Sequence, residues 1–483
     1  MSIPYFRLHR SSRVPLSKQI AEQLVHAIRA RLLKPGQSLP TVRQLSSNLQ
    51  VSLETVQKAY HTLKKDGWIE SRPHHGTRVT PTLPPSLVML PPHRGEKRTL
   101  LLTEMKKYRD TPGILPVSGV TLPPDRELMR AFQQEAGAAV ELAFIQEELE
   151  PFGLIPLRSR IQGLLAARGF WAEEKSICIV SGTQQALWLI TDQFIKPGDI
   201  VGVPEMCYLP ARDVFRDRGA RIVPIKLGSD GIDVEHLMEV CRREPLAMLY
   251  AMPNAHYPTG ASWTHETKQA VLTLAVHYGF KIIEDEYFGE LYYSPLPPST
   301  LYSLAKNGKG QSKVPVFYMS SFSTITHPNL RLGYMVVPEA HTERLERAKY
   351  LLDSTTSVIS QQLLLNVWER VNIPEYLAGL RATLKKARDA MIDSLTRWTP
   401  DPFSFNEPAM GVCTWVYAPG NFTSMDFFEQ CLARHVYVMP ADAFAVEDPV
   451  PGFQVKFGSL SPQMLDEGLR RIGEVLGMQM ANS

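Results

Sequence analysis

A short segment between an apolar run and a helical pattern has residue types that could hold a phosphate group. Residues 181–184 read Ser-Gly-Thr-Gln; they follow the apolar run 177–180 and open a helical pattern over 183–195. The first turn of a helix leaves backbone N–H groups without partners, and the helix dipole favours negative charge there. These groups, together with the Thr183 hydroxyl, could therefore bind a phosphate dianion. An ordinary strand–helix turn is the alternative.

Charge suggests a second kind of chemistry near the N-terminus. Residues 1–80 contain 13 Lys and Arg residues against 4 Asp and Glu residues, a net charge of +9. The remaining 403 residues contain 39 basic and 45 acidic residues, a net charge of −6. A small basic segment on a large, mildly acidic one favours binding of a polyanion such as nucleic acid. A solvated basic surface is the alternative that charge alone leaves open.

Several classes of protein are excluded by composition. The five cysteines are odd in number, widely scattered and never in a C-x-x-C pair, so we expect buried thiols and neither disulfides nor a metal site. No run of about 18 apolar residues occurs, and the N-terminus lacks the apolar stretch of a signal peptide. With 44% hydrophobic residues and balanced charge, the chain is not disordered. We therefore expect a cytoplasmic protein with no membrane contact.

The basic segment has the pattern of a small helical domain. Apolar residues recur every four positions from Leu16 to Ile28, which predicts an amphipathic helix over 15–32. Thr41 and Ser52 could cap a second and a third helix. Two short strands are predicted at 68–71 and 77–79. This outline is typical of a winged helix, in which the third helix enters the major groove of DNA.

The rest of the chain has the pattern of a proline-rich linker followed by an α/β domain. The length of the whole chain, 483 residues, predicts about three domains. We place the boundaries at 1–80 (winged helix), 81–114 (linker) and 115–483 (body). The body alternates apolar strands with helical patterns, which favours a mostly parallel sheet with ligands at the carboxyl ends of the strands. Strands are predicted at 177–180, 200–203, 247–250, 281–283 and 316–319, and helices at 183–195, 207–218 and 265–279.

The first 80 residues resemble the GntR winged-helix DNA-binding domain. The resemblance rests on separated motifs: Leu-Pro-Thr-Val-Arg over 39–43, Val-Ser-Leu-Glu-Thr-Val over 51–56 and Gly-Trp-Ile over 67–69. Cationic and hydroxyl side chains supply phosphate contacts, and the third helix offers side chains to the groove. Leu53 departs from the family, which usually has Arg after the Val-Ser pair. The residues that the resemblance assigns to DNA are Arg43, Ser52, Thr55, Lys58, Arg72, His75 and Gly76.

The body resembles fold-type-I pyridoxal-phosphate aminotransferases, and the whole chain resembles the MocR subfamily of GntR regulators. In that family Gly182, Thr183 and Gln184 would lie at the cofactor phosphate, together with Ser321, Ser323 and Arg331. Asp285 would pair with the protonated pyridine nitrogen, which makes the ring an electron sink. The aromatic rings that the resemblance implies are Tyr208, packed on the pyridine, and Tyr287, a donor to the cofactor's phenolic oxygen.

Three positions depart from the aminotransferase pattern. Thr324 occupies the place of the Schiff-base lysine after Ser-Phe-Ser, so no amine can form the covalent link and no catalytic residue is predicted. His256 stands where the family has Asn or Gln as a second donor to the phenolic oxygen, which would make binding depend on pH near neutrality. Lys456 stands where an arginine holds the substrate carboxylate.

The resemblance therefore implies a MocR-type transcriptional regulator that binds double-stranded DNA as a homodimer. Its body would sense a small-molecule effector, and pyridoxal phosphate would be bound noncovalently or lost. One alternative is a working aminotransferase with a DNA-binding head, which would need Lys456 as a replacement lysine. Another is a constitutive DNA binder whose body serves only for dimerisation.

Overall fold

The computed structural model describes residues 15–29, 33, 36–72, 76–80, 108–109, 111–147, 149–306, 313–420 and 422–481. The chain divides into two compact units, one containing the described residues up to 114 and the other those from 115 onward. We call them the first and second units. Most of the predicted linker, 81–114, lies outside the described residues, so the three-way domain division stays a prediction.

The first unit consists of three helices followed by a β-hairpin. Its elements are α1 (Leu16–Arg29), α2 (Val42–Leu49), α3 (Leu53–Lys65), β1 (Ile69–Arg72) and β2 (Gly76–Val79). The two strands pair antiparallel, with Ile69 opposite Val79. The predicted helix–turn–helix and wing are thus confirmed, although residues 30–32 of the predicted first helix lie outside the described part of the chain.

Side-chain caps start the second and third helices of the first unit. The Thr41 hydroxyl accepts the Gln44 N–H at 3.2 Å, and the Gln44 side chain accepts the Thr41 N–H at 2.9 Å, which makes a capping box. The Ser52 hydroxyl accepts the Thr55 N–H at 3.2 Å and so begins α3. The apolar faces of these helices meet in one core, which includes Ile20, Leu24, Leu45, Val56, Leu63 and Trp68.

The second unit is built on a seven-stranded sheet that is parallel except for one strand. In spatial order its strands are β4 (Ile177–Val180), β12 (Gly333–Val336), β11 (Val316–Ser321), β10 (Lys281–Asp285), β9 (Leu246–Ala251), β5 (Ile200–Pro204) and β6 (Arg221–Ile225). Strand β12 runs antiparallel to both of its neighbours. The five strands predicted from sequence are confirmed; β6 and the reversed β12 were not predicted.

Helices cover both faces of this sheet, so successive strand residues enter different cores. On β10, Ile282 belongs to the apolar cluster on one face and Ile283 to the cluster on the other. The helices around the sheet are α4 (Arg126–Phe144), α5 (Ile155–Ala167), α6 (Thr183–Phe194), α7 (Leu209–Asp217), α8 (Val234–Arg243), α9 (His265–Tyr278), α10 (Leu301–Ala305), α11 (Thr342–Asp353) and α12 (Val358–Arg370). The predicted helices at 183–195, 207–218 and 265–279 correspond to α6, α7 and α9.

A smaller α/β subdomain completes the second unit. Its three-stranded antiparallel sheet contains β13 (Ser404–Phe405), β14 (Cys413–Tyr417) and β16 (Gly452–Lys456). Its helices are α13 (Ile373–Trp398), α14 (Ser424–Ala433) and α15 (Pro462–Ala481). Two short pairs remain: β3 (Leu115–Pro116) lies parallel to β15 (Val436–Tyr437), and β7 (Leu227–Gly228) pairs with β8 (Gly231–Ile232).

The described residues contain no helix that is long and apolar enough to cross a membrane. Within the same part of the chain, no group of three or more His, Cys, Asp or Glu side chains could hold a metal ion. All five cysteines are buried free thiols.

Candidate functional site

A cavity of about 150 Å³ lies where strands β4 and β10 end at the carboxyl edge of the central sheet. The start of α6, the start of α7 and the segment after β10 each contribute a polar side chain to its wall. Four of the residues assigned from sequence to a cofactor are therefore brought together: Thr183, Tyr208, Asp285 and Tyr287. The full lining is Val120, Thr183, Tyr208, Met252, Tyr257, Asp285, Tyr287 and Phe288.

Gly182 forms a cradle at the start of α6. Its φ is 92°, which strains any residue with a side chain, and a Cβ there would lie 2.8 Å from Nη2 of Arg331 and would displace that guanidinium. Arg331 donates from Nη2 to the Ser181 carbonyl at 2.8 Å. No side-chain hydrogen bond caps α6 at Gly182, so the N–H groups of its first turn have no capping side chain as acceptor. These groups lie at the end of the helix that is next to the cavity. A guanidinium beside an uncapped helix start is a donor set suited to a phosphate.

The turn after β11 positions the hydroxyl groups that sequence assigned to the site. The Ser321 hydroxyl accepts the Ser323 N–H at 3.1 Å and starts the short 3₁₀ turn Phe322–Thr324. Thr324 is 8% exposed, and its hydroxyl donates to the Tyr287 carbonyl at 3.3 Å. Thr324 is not among the residues described as lining the cavity, and this hydrogen bond connects it to Tyr287, which is.

Asp285 is the carboxylate of the cavity, and both of its oxygens have a protein donor. The Tyr250 hydroxyl donates to Oδ2 at 2.8 Å, and the Tyr287 N–H donates to Oδ1 at 3.1 Å. Burial raises the pKa of Asp285 to about 7, and the Tyr250 hydrogen bond opposes that rise. Each oxygen keeps a lone pair, so the carboxylate can still accept a further N–H, such as that of a pyridinium ring.

Sequence reasoning missed Tyr250. In the β9–β10 register Tyr250 lies opposite Ile283, two residues before Asp285, which brings its hydroxyl level with the carboxylate. The signal was one hydroxyl-bearing residue in the otherwise apolar run 246–251. A buried phenol needs a hydrogen-bond partner, so such a residue next to an acidic strand end is informative.

The two tyrosines assigned to the ligand ring both lie at the cavity. Tyr208 is partly exposed and packs edge-on to Tyr257 with ring centroids 6.5 Å apart. Burial raises the pKa of Tyr287 to about 12, with the neighbouring Tyr208 and Asp285 adding to the rise. The Tyr287 phenol therefore keeps its proton at neutral pH and can act as a hydrogen-bond donor.

His256 is not among the residues that line the cavity. It is buried, and its Nδ1 lies 2.8 Å from the Thr259 hydroxyl. Burial lowers the pKa of His256 to about 4. The imidazole is therefore neutral at physiological pH, which argues against the pH dependence near neutrality that the sequence predicted for it.

Gln184 and Lys456 are also not among the residues described as lining the cavity. Gln184 donates from Nε2 to the Pro210 carbonyl on α7 at 3.3 Å. Lys456 is buried at the end of β16, and its Nζ lies 3.6 Å from where a Cβ on Gly119 would be. Lys456 is thus close to the segment that precedes Val120 without lining the cavity itself.

Acidic residues beneath the cavity belong to a buried network that sequence did not predict. The run Glu284–Glu286 is buried. Arg168 donates to Glu286 at 2.8 Å, with both side chains almost fully enclosed. Lys268 donates to Asn254 at 2.7 Å. This network fixes the end of β10 and so the position of Asp285.

The first unit exposes three of the side chains assigned to DNA. Arg43, Ser52 and Lys58 are exposed, and Gly76 begins the second wing strand with a φ of 74°. Lys58 pairs with Glu54 at 2.8 Å, in a surface pair that phosphate could compete for. The Ser52 and Thr55 hydroxyls lie 2.8 Å apart. Two assigned residues, His75 and the side chain of Arg72, lie outside the described part of the chain.

Comparison with protein families identifies both units. Residues 124–472 match the model of aminotransferase class I and II, and residues 16–79 match that of bacterial regulatory proteins of the gntR family.

Relatives with both segments match along most of the chain. The chain is 27% identical over 463 residues to the uncharacterized HTH-type transcriptional regulator YisV of Bacillus subtilis, covering 93% of each protein. It is 25% identical over 420 residues to the probable rhizopine catabolism regulatory protein MocR of Rhizobium meliloti, covering 84% of this chain and 82% of that protein.

Solved structures agree with the fold of the second unit. The α-aminoadipate aminotransferase LysN of Thermus thermophilus, complexed with N-(5′-phosphopyridoxyl)-L-leucine, superposes with a TM-score of 0.70 at 25% identity, covering 81% of this chain and 96% of that one. A kynurenine aminotransferase of Pyrococcus horikoshii gives 0.71 at 26% identity, covering 80% and 96%. Since the aminotransferase match spans well over half of its length, the chain belongs to the aminotransferase class I and II family, and it carries a gntR-family segment before that domain.

Proposed function

We propose that this chain is a DNA-binding transcriptional regulator whose second unit binds a small phosphorylated ligand and does not catalyse transamination. The observation that carries the proposal is the combination, in one chain, of a basic winged-helix unit with an aminotransferase-like unit in which Thr324, at the proposed lysine position, contacts Tyr287 of the cavity wall. Relatives that match along most of the chain are named as an HTH-type transcriptional regulator and as a probable catabolism regulatory protein, which supports the first part. The domain division 1–80, 81–114 and 115–483 belongs to this proposal.

Absence of the lysine amine is the reason to expect no transamination. A threonine at the proposed lysine position offers neither an amine for covalent attachment nor a base for the substrate α-proton. No lysine is among the residues described as lining the cavity. The rival reading, an active aminotransferase that uses Lys456, requires that side chain to reach the cavity from the end of β16.

The remaining donors suit pyridoxal phosphate held without a covalent bond. Gly182, Thr183 and Arg331 would hold the phosphate, Asp285 would pair with the pyridine nitrogen, and the Tyr208 ring would pack on the pyridine. When bound, such a group supplies an electron sink for an attached amine. In this chain those residues bind and orient the ligand, and the residues described as lining the cavity include no lysine to move the proton.

Two copies of the chain would place two first units on DNA. A homodimer presents two recognition helices, each an α3, to two half-sites about one helical turn apart. Arg43, Lys58 and the wing around Gly76 would supply phosphate contacts, and Thr55 would face the groove. A ligand in the second unit then controls DNA binding only if it prefers one arrangement of the dimer.

DNA binding is tested on the full chain with duplexes selected from a random library. We expect the logarithm of the binding constant to fall with the logarithm of salt concentration, with a slope of about −0.9 per neutralised phosphate. Arg43→Ala should weaken binding, whereas Arg347→Ala, on α11 of the second unit, serves as the matched control. Binding that is insensitive to salt, or equal loss in both variants, would contradict the assignment of the first unit.

Transamination is tested by amino-donor turnover together with chemical trapping. We expect turnover of amino and keto acids at the uncatalysed background. After incubation with pyridoxal phosphate and borohydride, mass spectrometry should find a phosphopyridoxyl adduct at position 324 in Thr324→Lys and none in the wild-type cavity. An adduct at Lys456 of the wild type, abolished by Lys456→Met, would favour the rival enzyme.

A further inference from the structure

We propose that the second unit selects the aminated form of a phosphorylated pyridoxyl ligand, a 5′-phosphopyridoxyl amine, over the corresponding aldehyde. This inference rests on the proposed function, because it takes Thr324 to lie where aminotransferases carry their lysine, next to the reactive carbon of the ligand. It goes further because it states which functional group on that carbon the site recognises.

The hydrogen-bond inventory of Thr324 carries the inference. A hydroxyl has one proton to donate and two lone pairs to accept with. The Thr324 proton is already donated to the Tyr287 carbonyl at 3.3 Å. Only the accepting capacity remains, which is complementary to the N–H groups of an amine. An aldehyde oxygen is an acceptor and finds no proton on this hydroxyl.

The backbone of Tyr287 fixes the orientation of the Thr324 hydroxyl. Its carbonyl accepts from Thr324, and its N–H donates to Asp285 at 3.1 Å. One peptide segment thus orients both the hydroxyl at one end of the ligand ring and the carboxylate at the other. A threonine that turned its proton toward an aldehyde would leave the Tyr287 carbonyl without that donor, which has a cost in a buried site.

The charge of the cavity favours the same form. Among the described residues that line it, Asp285 is the one that carries a formal charge when ionised. In an active aminotransferase the lysine amine would compete for the position of a ligand amine and repel it when protonated. With threonine at 324, an ammonium group on the ligand meets an uncharged acceptor.

The test compares three ligands by isothermal titration calorimetry on the full chain in a buffer without primary amines. The probes are pyridoxamine 5′-phosphate, pyridoxal 5′-phosphate and inorganic phosphate. We expect the amine to bind at least about tenfold more tightly than the aldehyde, the size of effect of one mismatched buried hydrogen bond. Inorganic phosphate should bind more weakly than either.

Two substitutions of residue 324 separate the hydroxyl from the volume of the side chain. Thr324→Val keeps the shape of the side chain and removes the acceptor. It should abolish the preference by weakening the binding of the amine, and the affinity for the aldehyde should stay within about twofold of the wild-type value. Thr324→Ser keeps the hydroxyl and should retain the preference. An aldehyde that binds the wild type as tightly as the amine, or a preference that survives in Thr324→Val, overturns this inference and leaves the proposed ligand site standing. If neither pyridoxyl compound binds at millimolar concentration, the inference and the proposed ligand site both fail.

Discussion

The ionisation of Asp285 ties the stability of the second unit to pH. Burial raises its pKa to about 7, so the folded protein keeps a proton that the unfolded chain releases at much lower pH. Between those two pKa values the folded state binds more protons than the unfolded state, and the free energy of unfolding therefore falls as pH rises. Glu284 contributes in the same direction, because burial raises its pKa to about 8.

We predict that Asp285→Asn reduces this pH dependence. The amide has the shape of the carboxyl group and no proton to lose. Between pH 5 and pH 8 the free energy of unfolding of the variant should therefore fall less than that of the wild type, and the difference should correspond to the ionisation of one buried carboxyl group. Urea unfolding of the ligand-free protein at a series of pH values measures it. Glu407→Gln, an exposed loop carboxylate, is the control and should follow the wild type. A wild-type profile in Asp285→Asn would mean that Asp285 is ionised in the folded state throughout this range.

At this scale the sequence indicated the ligand-facing residues better than their supports. Thr183, Asp285 and Tyr287 carried a recognisable spacing after strands, and the structure brings them to one cavity. Tyr250 did not, because its contact with Asp285 depends on the register between β9 and β10, which local pattern does not encode. The neutral state of His256 likewise depends on burial by residues distant in sequence.

Helix α3 depends on one side chain for its start. The Ser52 hydroxyl accepts the Thr55 N–H at 3.2 Å, and no other side chain caps that end of the helix. We predict that Ser52→Ala destabilises α3 by about 1 kcal/mol in the absence of DNA, because a first-turn donor loses its acceptor.

Hydrogen exchange of peptides from the full chain measures this change. Amides of Leu53–Lys65 should exchange faster in Ser52→Ala, whereas those of α6 in the second unit should not change. Ser47→Ala, an exposed position within α2 without a capping role, is the matched control. Equal protection of α3 in all three proteins would show that packing alone holds the helix start.

Elements with a local signature were predictable, and elements defined by pairing were not. Apolar spacing and the capping residues Thr41 and Ser52 predict the helices of the first unit. Strand β12 has an apolar run like its neighbours, but nothing in the residues of a strand states in which direction it runs. Its reversal is decided by the connection that precedes it and by its insertion between β4 and β11.

At the scale of the whole molecule, the two units have separate hydrophobic cores. The buried cluster of the first unit, from Ile20 to Val79, contains residues of that unit alone. We predict two separable unfolding transitions. Leu24→Ala truncates a fully buried side chain and should lower the free energy of unfolding of the first unit by about 2–5 kcal/mol. The unfolding transition of the second unit should not change.

A ligand that binds the folded second unit should raise the temperature of that unit's unfolding transition by mass action. Pyridoxamine 5′-phosphate at about 100 times its dissociation constant should stabilise the second unit by about 2.7 kcal/mol. Arg331→Ala should abolish most of this gain, since it removes the guanidinium beside Gly182. Differential scanning calorimetry follows both transitions in one experiment. A single transition that responds as a whole to Leu24→Ala and to the ligand would contradict the independence of the two cores.

The reversal of β12 has a consequence for how this chain could change over generations. Because β11 and β12 run in opposite directions, the connection between them returns at once across the same edge of the sheet, and it carries both Thr324 and Arg331. Arg331 donates to the Ser181 carbonyl and its guanidinium lies beside Gly182; the hydrogen bond described for its side chain does not involve residue 324. The lysine codons AAA and AAG differ by one base from the threonine codons ACA and ACG, so from either of these threonine codons one point mutation would exchange Thr324 for lysine. The amine for a covalent anchor could then be gained or lost in one step, whereas the full aminotransferase pattern would also require changes at His256 and Lys456.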